Sequence, residues 1–152
     1  RAFPYSVNVN NKHMAITFQA EDIGFPEIRR GDVKHWIRQV AGLHGKKIGE
    51  INYLFCTDEK ILEVNNHYLQ HDYYTDIITF DYTEGNMISG DIIISLETVR
   101  SNAEKYDNPF EQELHRVIIH GILHLCGIDD KDETASRQMR EAENRALELI
   151  GM

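Results

Sequence analysis

Two histidines four residues apart are the part of this sequence best suited to chemistry. His120 and His124 lie in residues 120–130, which read His-Gly-Ile-Leu-His-Leu-Cys-Gly-Ile-Asp-Asp. On a helix this spacing offsets two side chains by about 40° around the axis and about 6 Å along it, so both lie on one face. Both imidazoles can then bind one cation at about 2.1 Å, the distance typical of zinc. The spacing therefore predicts a metal site on this helix.

The residues after the helix supply a third metal ligand. Gly127 is typical of a helix C-terminus and lets the chain turn back. The turn brings a carboxylate oxygen from Asp130, or alternatively from Asp129, towards the open side of the metal. Three protein ligands leave a fourth position for water, which is the pattern of a catalytic zinc site and not of a structural one. We therefore predict that His120, His124 and Asp130 bind one Zn²⁺ per chain, with another divalent metal as the alternative.

The residue that follows the first histidine bears on the reaction. Zinc peptidases of the His-Glu-x-x-His type have their general base at that position, whereas this sequence has Gly121. A peptidase that uses this base is therefore disfavoured. A hydrolase that uses metal-activated water is still compatible with the sequence, because the metal lowers the pKa of that water towards about 7. No sequence pattern identifies the general base.

A histidine pair alone is a weak signal for a metal, and a structural alternative stays open. The chain has eight histidines, and His67 and His71 form another pair at the same spacing. We interpret that second pair as surface residues. For His120 and His124 the alternative is a pair of buried histidines that are satisfied by hydrogen bonds.

Arg116 precedes His120 by one helical turn and is the candidate catalytic residue. A guanidinium one turn above the metal can bind a phosphate through two parallel hydrogen bonds. The alternative is a surface ion pair with Glu113, three residues earlier on the same helix. The sequence leaves both interpretations open.

Hydrophobic periodicity predicts the elements that must hold these residues. The predicted strands cover residues 14–19, residues 49–56, Asp76–Tyr82 and Asp91–Leu96. The predicted helices cover Arg30–His44, Asp58–Tyr68 (with Thr57 as its N-cap), Leu96–Tyr106, a segment from about Pro109 to about Cys126, and Glu133–Leu149. This order predicts an α+β fold: one mixed four-stranded sheet packed with about five helices, with a zincin-like metal site on a central helix.

Length and composition are those of an ordinary globular protein. The 152 residues fit one domain, residues 1–152, and 41% of them are hydrophobic while 27% are charged. No apolar run approaches the roughly 20 residues of a membrane span, and no signal-peptide pattern opens the sequence, so we expect a cytoplasmic protein without membrane contact. Cys56 and Cys126 lie in apolar runs, which predicts two reduced thiols and no disulfide.

The charge is unevenly distributed along the chain. The net charge of −9 argues against nonspecific binding of polyanions. Residues 1–50 contain eight Lys and Arg and five Asp and Glu (net +3), whereas residues 51–152 contain eight and twenty (net −12). A nucleic-acid substrate would need a local basic surface, and a solvated helix face is the alternative role of these cations. The residues available for a basic surface are Arg29, Arg30, Lys34, Arg38, Lys46 and Lys47.

The run His-Gly-x-Leu-His-Leu-x-Gly-x-Asp resembles the signature of the YbeY family of ribosomal-RNA maturation endoribonucleases. The family motif has three metal-binding histidines, and Asp130 occupies the position of the third. Residues 64–80 are similar to the family's Leu-Asn…Tyr-Arg…Asp…Thr-Asp-Val-Leu-Ser-Phe, and residues 90–95 are similar to its Gly-Asp-Ile strand. The resemblance covers residues 64–130, with three motifs in the family's order.

The resemblance implies a metal in a cleft beside the sheet and cleavage of single-stranded RNA. It also implies maturation of the 3′ end of small-subunit ribosomal RNA and a role in ribosome quality control, with ribosomal RNA and the ribosome or small-subunit assembly factors as partners. The family usually has an arginine where this sequence has Leu69, so we expect phosphate contact from Arg116 or His71 instead. The candidate substrate-binding residues are Thr75, Asp76, Asp91 and His71, for which structural roles at strand ends are the alternative.

We therefore predict a zinc-dependent endoribonuclease. One alternative is a metal-dependent hydrolase of another substrate, such as a peptide or a small amide, and Gly121 counts against it. The other alternative is a ribosome-assembly binding module with a structural metal, and Leu69 counts in its favour. The oligomeric state is not predicted by the sequence.

Overall fold

A computed structural model describes residues 15–69 and 75–152, with the side chain of Leu69 excepted. Nine elements follow one another in this part of the chain. The strands are β1 (Ala15–Ala20), β2 (Lys47–Cys56), β3 (Ile77–Asp81) and β4 (Met87–Ser95). The helices are α1 (Arg30–Leu43), α2 (Asp58–Leu69), α3 (Leu96–Lys105), α4 (Phe110–Leu125) and α5 (Glu133–Glu148).

The four strands form one mixed sheet in the order β1-β2-β4-β3. Strands β1 and β2 are parallel, β2 and β4 are parallel, and β3 runs antiparallel to β4 along the edge of the sheet. The predicted α+β fold with a mixed four-stranded sheet and five helices is therefore confirmed. None of the helices in the described ranges is long and apolar enough to cross a bilayer.

Alternation along β4 divides the core between the two faces of the sheet. Ile92 and Ile94 belong to the larger hydrophobic cluster, which includes residues of α1, α3, α4 and α5. Ile93 points to the opposite face and belongs to a smaller cluster with Ile61 and Val64 of α2. Because successive side chains of a strand point to opposite faces, this one strand anchors helices on both sides.

Helix α4 packs closely against the sheet, and Gly121 makes that approach possible. A Cβ atom at Gly121 would lie 3.0 Å from the side chain of Ile92 and 3.3 Å from that of Ile77. These contacts are tight, so position 121 faces the strands. A larger side chain at this position would therefore meet the sheet.

The end of α4 follows the prediction from Gly127. Gly127 has φ +102°, and its N–H donates to the carbonyl of His124 at 3.0 Å. The N–H of Ile128 donates to the carbonyl of Leu123 at 3.1 Å. This pair of bonds is a Schellman motif, which ends the helix and turns the chain back towards Asp130.

Most predicted boundaries agree with the structure to within two residues, and β4 is the exception. It begins at Met87 instead of Asp91, because Met87 and Ile88 pair with Lys47 and Ile48 at the start of β2. Ser89 and Gly90 interrupt the apolar run, so hydrophobic periodicity does not predict this extension. At α4, Pro109 is the N-cap, and the helix begins one residue later at Phe110.

Candidate metal centre and active-site cleft

A cleft of about 490 Å³ lies between α4, α5 and the β3 edge of the sheet. Most of the predicted site residues line it, together with residues that the sequence did not single out. Its polar lining consists of Asn65, Thr75, Asp76, Thr79, Glu113, Arg116, His120, His124, Asp130, Arg140 and Glu143.

His120 is held in one orientation by a buried carboxylate of α5. Its Nδ1 donates to Oε2 of Glu143 at 2.7 Å, and the Glu143 side chain is only 7% exposed. This bond leaves Nε2 as the ring nitrogen with a free lone pair. Nε2 lies 3.7 Å from Oδ2 of Asp130. A histidine that binds a metal through one nitrogen and a carboxylate through the other is the common arrangement in metalloenzymes.

The pKa values of His120 and Glu143 are shifted by their contact. Burial alone would lower the pKa of His120, but Glu143 outweighs it, with help from Asp130 and Asp76, and the pKa is raised above 6.5. Burial alone would raise the pKa of Glu143, but hydrogen bonds from His120 and Arg116 hold it below 4.5. Glu143 is therefore ionised at neutral pH. It stabilises positive charge on the His120 ring, or on a cation bound to that ring.

The spacing of His120 and Asp130 fits two ligands of one cation. Two ligand atoms at about 2.1 Å from a tetrahedral zinc are about 3.4 Å apart, and the observed distance is 3.7 Å. His124 lines the same cleft. However, no three His, Cys, Asp or Glu side chains of residues 15–69 and 75–152 are arranged so that they could hold a metal as they stand. The three-ligand site therefore stays a prediction.

Of the two aspartates that follow α4, only Asp130 faces this cleft. Asp129 lines a different hollow, between the turn after α4 and helix α5. Its Oδ1 accepts a hydrogen bond from the N–H of Lys131 at 3.2 Å, which fixes the local turn. The choice of Asp130 over Asp129 as the candidate ligand therefore agrees with the geometry.

The contacts of Arg116 differ from both interpretations of the sequence, phosphate binding and a surface ion pair with Glu113. Its Nη1 donates to Glu143 at 3.0 Å and its Nη2 donates to Asn144 at 2.9 Å, while the side chain is only 11% exposed. Its ion-pair partner is thus Glu143 on α5 and not Glu113 on its own helix. These two bonds and the low exposure hold the Arg116 guanidinium against α5, which favours a structural role over phosphate binding.

The predicted substrate-binding residues divide into three groups. Thr75 and Asp76 line the cleft. Asp91 does not: it is 1% exposed, accepts a hydrogen bond from Asn52 at 3.0 Å, and points to the face of the sheet opposite α4, as the alternation along β4 requires. The structure therefore does not bring Asp91 into the cleft and favours its structural role in the sheet. His71 and the side chain of Leu69 lie outside the described residues.

Two carboxyl groups in the cleft have raised pKa values. The pKa of Asp76 is raised by burial, against a lowering effect of the neighbouring His120. The pKa of Glu113 is also raised by burial, against the attraction of Arg116. Perturbed carboxyl groups in a cleft are candidates for proton transfer. The charges of Asp76 and His120 influence each other, so Asp76 is the candidate that we associate with the predicted metal ligands.

Glu143 and Arg140 are the site residues that sequence reasoning missed. Both lie on α5, at least 20 residues beyond His120, so no local spacing connects them to the histidines. The sequence contained one signal for Glu143. A charged residue in line with the apolar positions Met139, Ala142 and Ala146 is expected to be buried, and a buried carboxylate needs a partner.

Comparison with known proteins gives consistent matches over most of the chain. The family model described as Endoribonuclease YbeY matches residues 15–151. A protein of that description from Phocaeicola vulgatus is 60% identical over 137 residues, covering 90% of this chain and 99% of the relative. Another, from Parabacteroides distasonis, is 63% identical over 137 residues, covering 90% and 96%. The solution structure of a Thermotoga maritima protein has 29% identity and a TM-score of 0.63, covering 88% and 87%.

Proposed function

Because this chain belongs to the endoribonuclease YbeY family, we propose that it is a metal-dependent endoribonuclease that cuts single-stranded RNA. The substrate that the family resemblance favours is the 3′ end of small-subunit ribosomal RNA. A role in ribosome quality control, with the ribosome or its assembly factors as partners in the cytoplasm, belongs to the same proposal.

One observation carries the metal dependence: the orientation of His120. Glu143 accepts the Nδ1 proton at 2.7 Å, so Nε2 is directed to the cleft side, 3.7 Å from Asp130. His124 lies one turn further along the same helix and lines the same cleft. We propose that His120, His124 and Asp130 bind one Zn²⁺, or another divalent cation. Such an ion would supply Lewis-acid polarisation of a phosphoryl oxygen and activation of a water.

The charge of the cleft supports a cation as part of the site. Four carboxylates line it, those of Asp76, Glu113, Asp130 and Glu143, against two arginines, Arg116 and Arg140. With these groups ionised, the protein alone contributes a net charge of −2 and would repel a phosphodiester. One divalent cation would balance that charge. This charge balance supports a bound divalent cation as part of the proposed site.

Asp76 is the group that we propose as general base. It lies at the start of β3 in the cleft, and burial raises its pKa above 3.8. A carboxylate with a raised pKa is a better proton acceptor. Its role would be to accept the proton of the attacking nucleophile. The hydrogen bond between His120 and Glu143 would meanwhile hold the His120 ring in place.

A cleavage assay tests this proposal. Wild-type protein should cut a labelled single-stranded RNA, lose that activity in a chelator and regain it when Zn²⁺ is restored. His124→Ala should be inactive under every condition. His35→Ala removes an exposed histidine of α1 that does not line the cleft and should behave as wild type. Cleavage that survives both the chelator and His124→Ala would contradict metal dependence. RNA binding without cleavage would favour the binding module.

A further inference from the structure

Arg140 is the more exposed of the two arginines that line the cleft. Its side chain is 60% exposed, and its Nη1 lies 3.8 Å from Oε1 of Glu143, which is beyond hydrogen-bond distance. Arg116 by comparison is 11% exposed and bonded at both terminal nitrogens. The two arginines therefore have different roles: Arg116 is the fixed counter-ion of Glu143, and Arg140 has donors that face solvent.

Arg140 lines a second hollow as well as the cleft. That hollow, of about 440 Å³, is lined by α5 residues that include Arg137. The cleft and the second hollow have four lining residues in common: His120, Asp130, Arg140 and Glu143. Arg140 therefore lies beside both hollows, next to the predicted metal ligands His120 and Asp130.

We propose that Arg140 binds a backbone phosphate of the RNA strand next to the cleaved bond. The inference rests on the proposed function, since it names the residue that holds the substrate of that same site. Phosphate binding by arginine is bidentate and charge-assisted, and it needs donors that are not already bonded. Of the two arginines that line the cleft, Arg140 meets this condition better, because its side chain is 60% exposed while that of Arg116 is 11% exposed and bonded to α5. It also offsets the repulsion between the strand and the four carboxylates of the cleft.

The test measures the affinity of a short single strand and its dependence on salt. The probe is a labelled 2′-O-methyl oligoribonucleotide that stays intact during the titration. Arg140→Ala should raise its Kd about tenfold and reduce the slope of log K against log salt by about 0.7, the value of one phosphate contact on a single strand. Arg140→Lys should retain the slope, because the charge remains, and lose part of the affinity with the planar guanidinium.

Arg145→Ala is the matched control. Arg145 is an exposed arginine on the same helix that does not line the cleft, so its removal should change neither Kd nor slope. In cleavage of the corresponding RNA, Arg140→Ala should raise KM more than it lowers kcat. Should Arg140→Ala fail to fold, Arg140→Gln carries the same prediction.

The outcomes separate this inference from the proposed function. If the wild type cleaves RNA while Arg140→Ala matches Arg145→Ala in Kd and slope, the inference is overturned and the proposed function is unaffected. If the wild type neither binds the probe nor cuts RNA, the proposed function fails and the inference fails with it.

Discussion

Glu143 connects the charged groups of the cleft. It accepts hydrogen bonds from His120 and Arg116, and it lies within ion-pair distance of Arg140. A carboxylate in this position fixes the ring of a metal-binding histidine and increases the basicity of the nitrogen that binds the metal. We therefore assign Glu143 a positioning role, although it is not itself a predicted metal ligand.

Removal of that carboxylate should weaken metal binding. We expect Glu143→Gln to lower the affinity for Zn²⁺ by about 10- to 100-fold, the usual effect of losing such a partner. Competition with a chromophoric chelator measures it. Glu141→Gln, at an exposed position on the same helix that does not line the cleft, is the control. Equal affinities for the two variants would exclude the positioning role.

The proton-transfer role of Asp76 predicts a particular pH profile. A general base is active when deprotonated, so kcat/KM should fall as the pH drops through the raised pKa of Asp76, above its ordinary value of 3.8. Asp76→Asn should lower kcat by about 10²- to 10⁴-fold and remove this acid limb.

Asp32→Asn, an exposed carboxylate of α1, should leave both rate and profile unchanged. An unaltered acid limb in Asp76→Asn would assign that limb to another group.

At the scale of elements, local sequence patterns predicted helix α4 and its end, but not the contacts between α4 and α5. The helical spacing that places His120 and His124 in one cleft and the end of α4 at Gly127 follow from local rules of periodicity and capping, which act within one turn. The bond between His120 and Glu143 joins residues 23 apart in sequence, and it depends on how α5 packs against α4. The burial of Asp91 likewise depends on which strand lies beside β4. Local patterns carry no information about such pairings.

The pairing of α4 with α5 should make stability depend on pH. In metal-free protein, the contribution of Glu143 is present above its unfolded pKa near 4.5 and is lost as the pH falls through the lowered folded value. The contribution of His120 is complete below its unfolded pKa near 6.5 and is lost as the pH rises through the raised folded value.

The difference in unfolding free energy between wild type and Glu143→Gln should therefore be largest between about pH 4.5 and 6.5. Urea titrations in the presence of a chelator measure this difference. A difference that does not change with pH would show that the ion pair does not contribute to stability.

Close packing of α4 on the sheet gives a further prediction about Gly121. Alanine normally stabilises a helix interior relative to glycine, by up to about 1 kcal/mol. At Gly121 the added methyl would meet Ile92 and Ile77 at 3.0 to 3.3 Å, whereas at Gly42 of α1 nothing lies within 4 Å. Gly42→Ala should therefore be neutral or stabilising, and Gly121→Ala should be less stable than Gly42→Ala by about 1 kcal/mol or more. Equal unfolding midpoints would contradict the close packing.

At the scale of the whole molecule, sequence reasoning predicted the fold class but not the distribution of charge around the site. The sheet and five helices follow from hydrophobic periodicity, which reports burial directly. The expected basic surface lies on residues of and around α1, where Arg30 and Arg38 are exposed, and neither of these arginines lines the cleft. The cleft itself has a carboxylate excess, which only the tertiary arrangement of α4, α5 and β3 reveals. The prediction that residues 1–152 form one domain remains untested.

The central claim is that His120, His124 and Asp130 together bind a divalent cation. X-ray absorption spectroscopy on zinc-loaded wild type and on His120→Ala, His124→Ala and Asp130→Ala tests it most directly. The account predicts one zinc per wild-type chain, with two imidazoles and a carboxylate among its nitrogen and oxygen ligands. One imidazole should be absent from each histidine variant that still binds zinc. A zinc environment that is the same in wild type and all three variants would contradict the account, as would a wild type that binds no zinc.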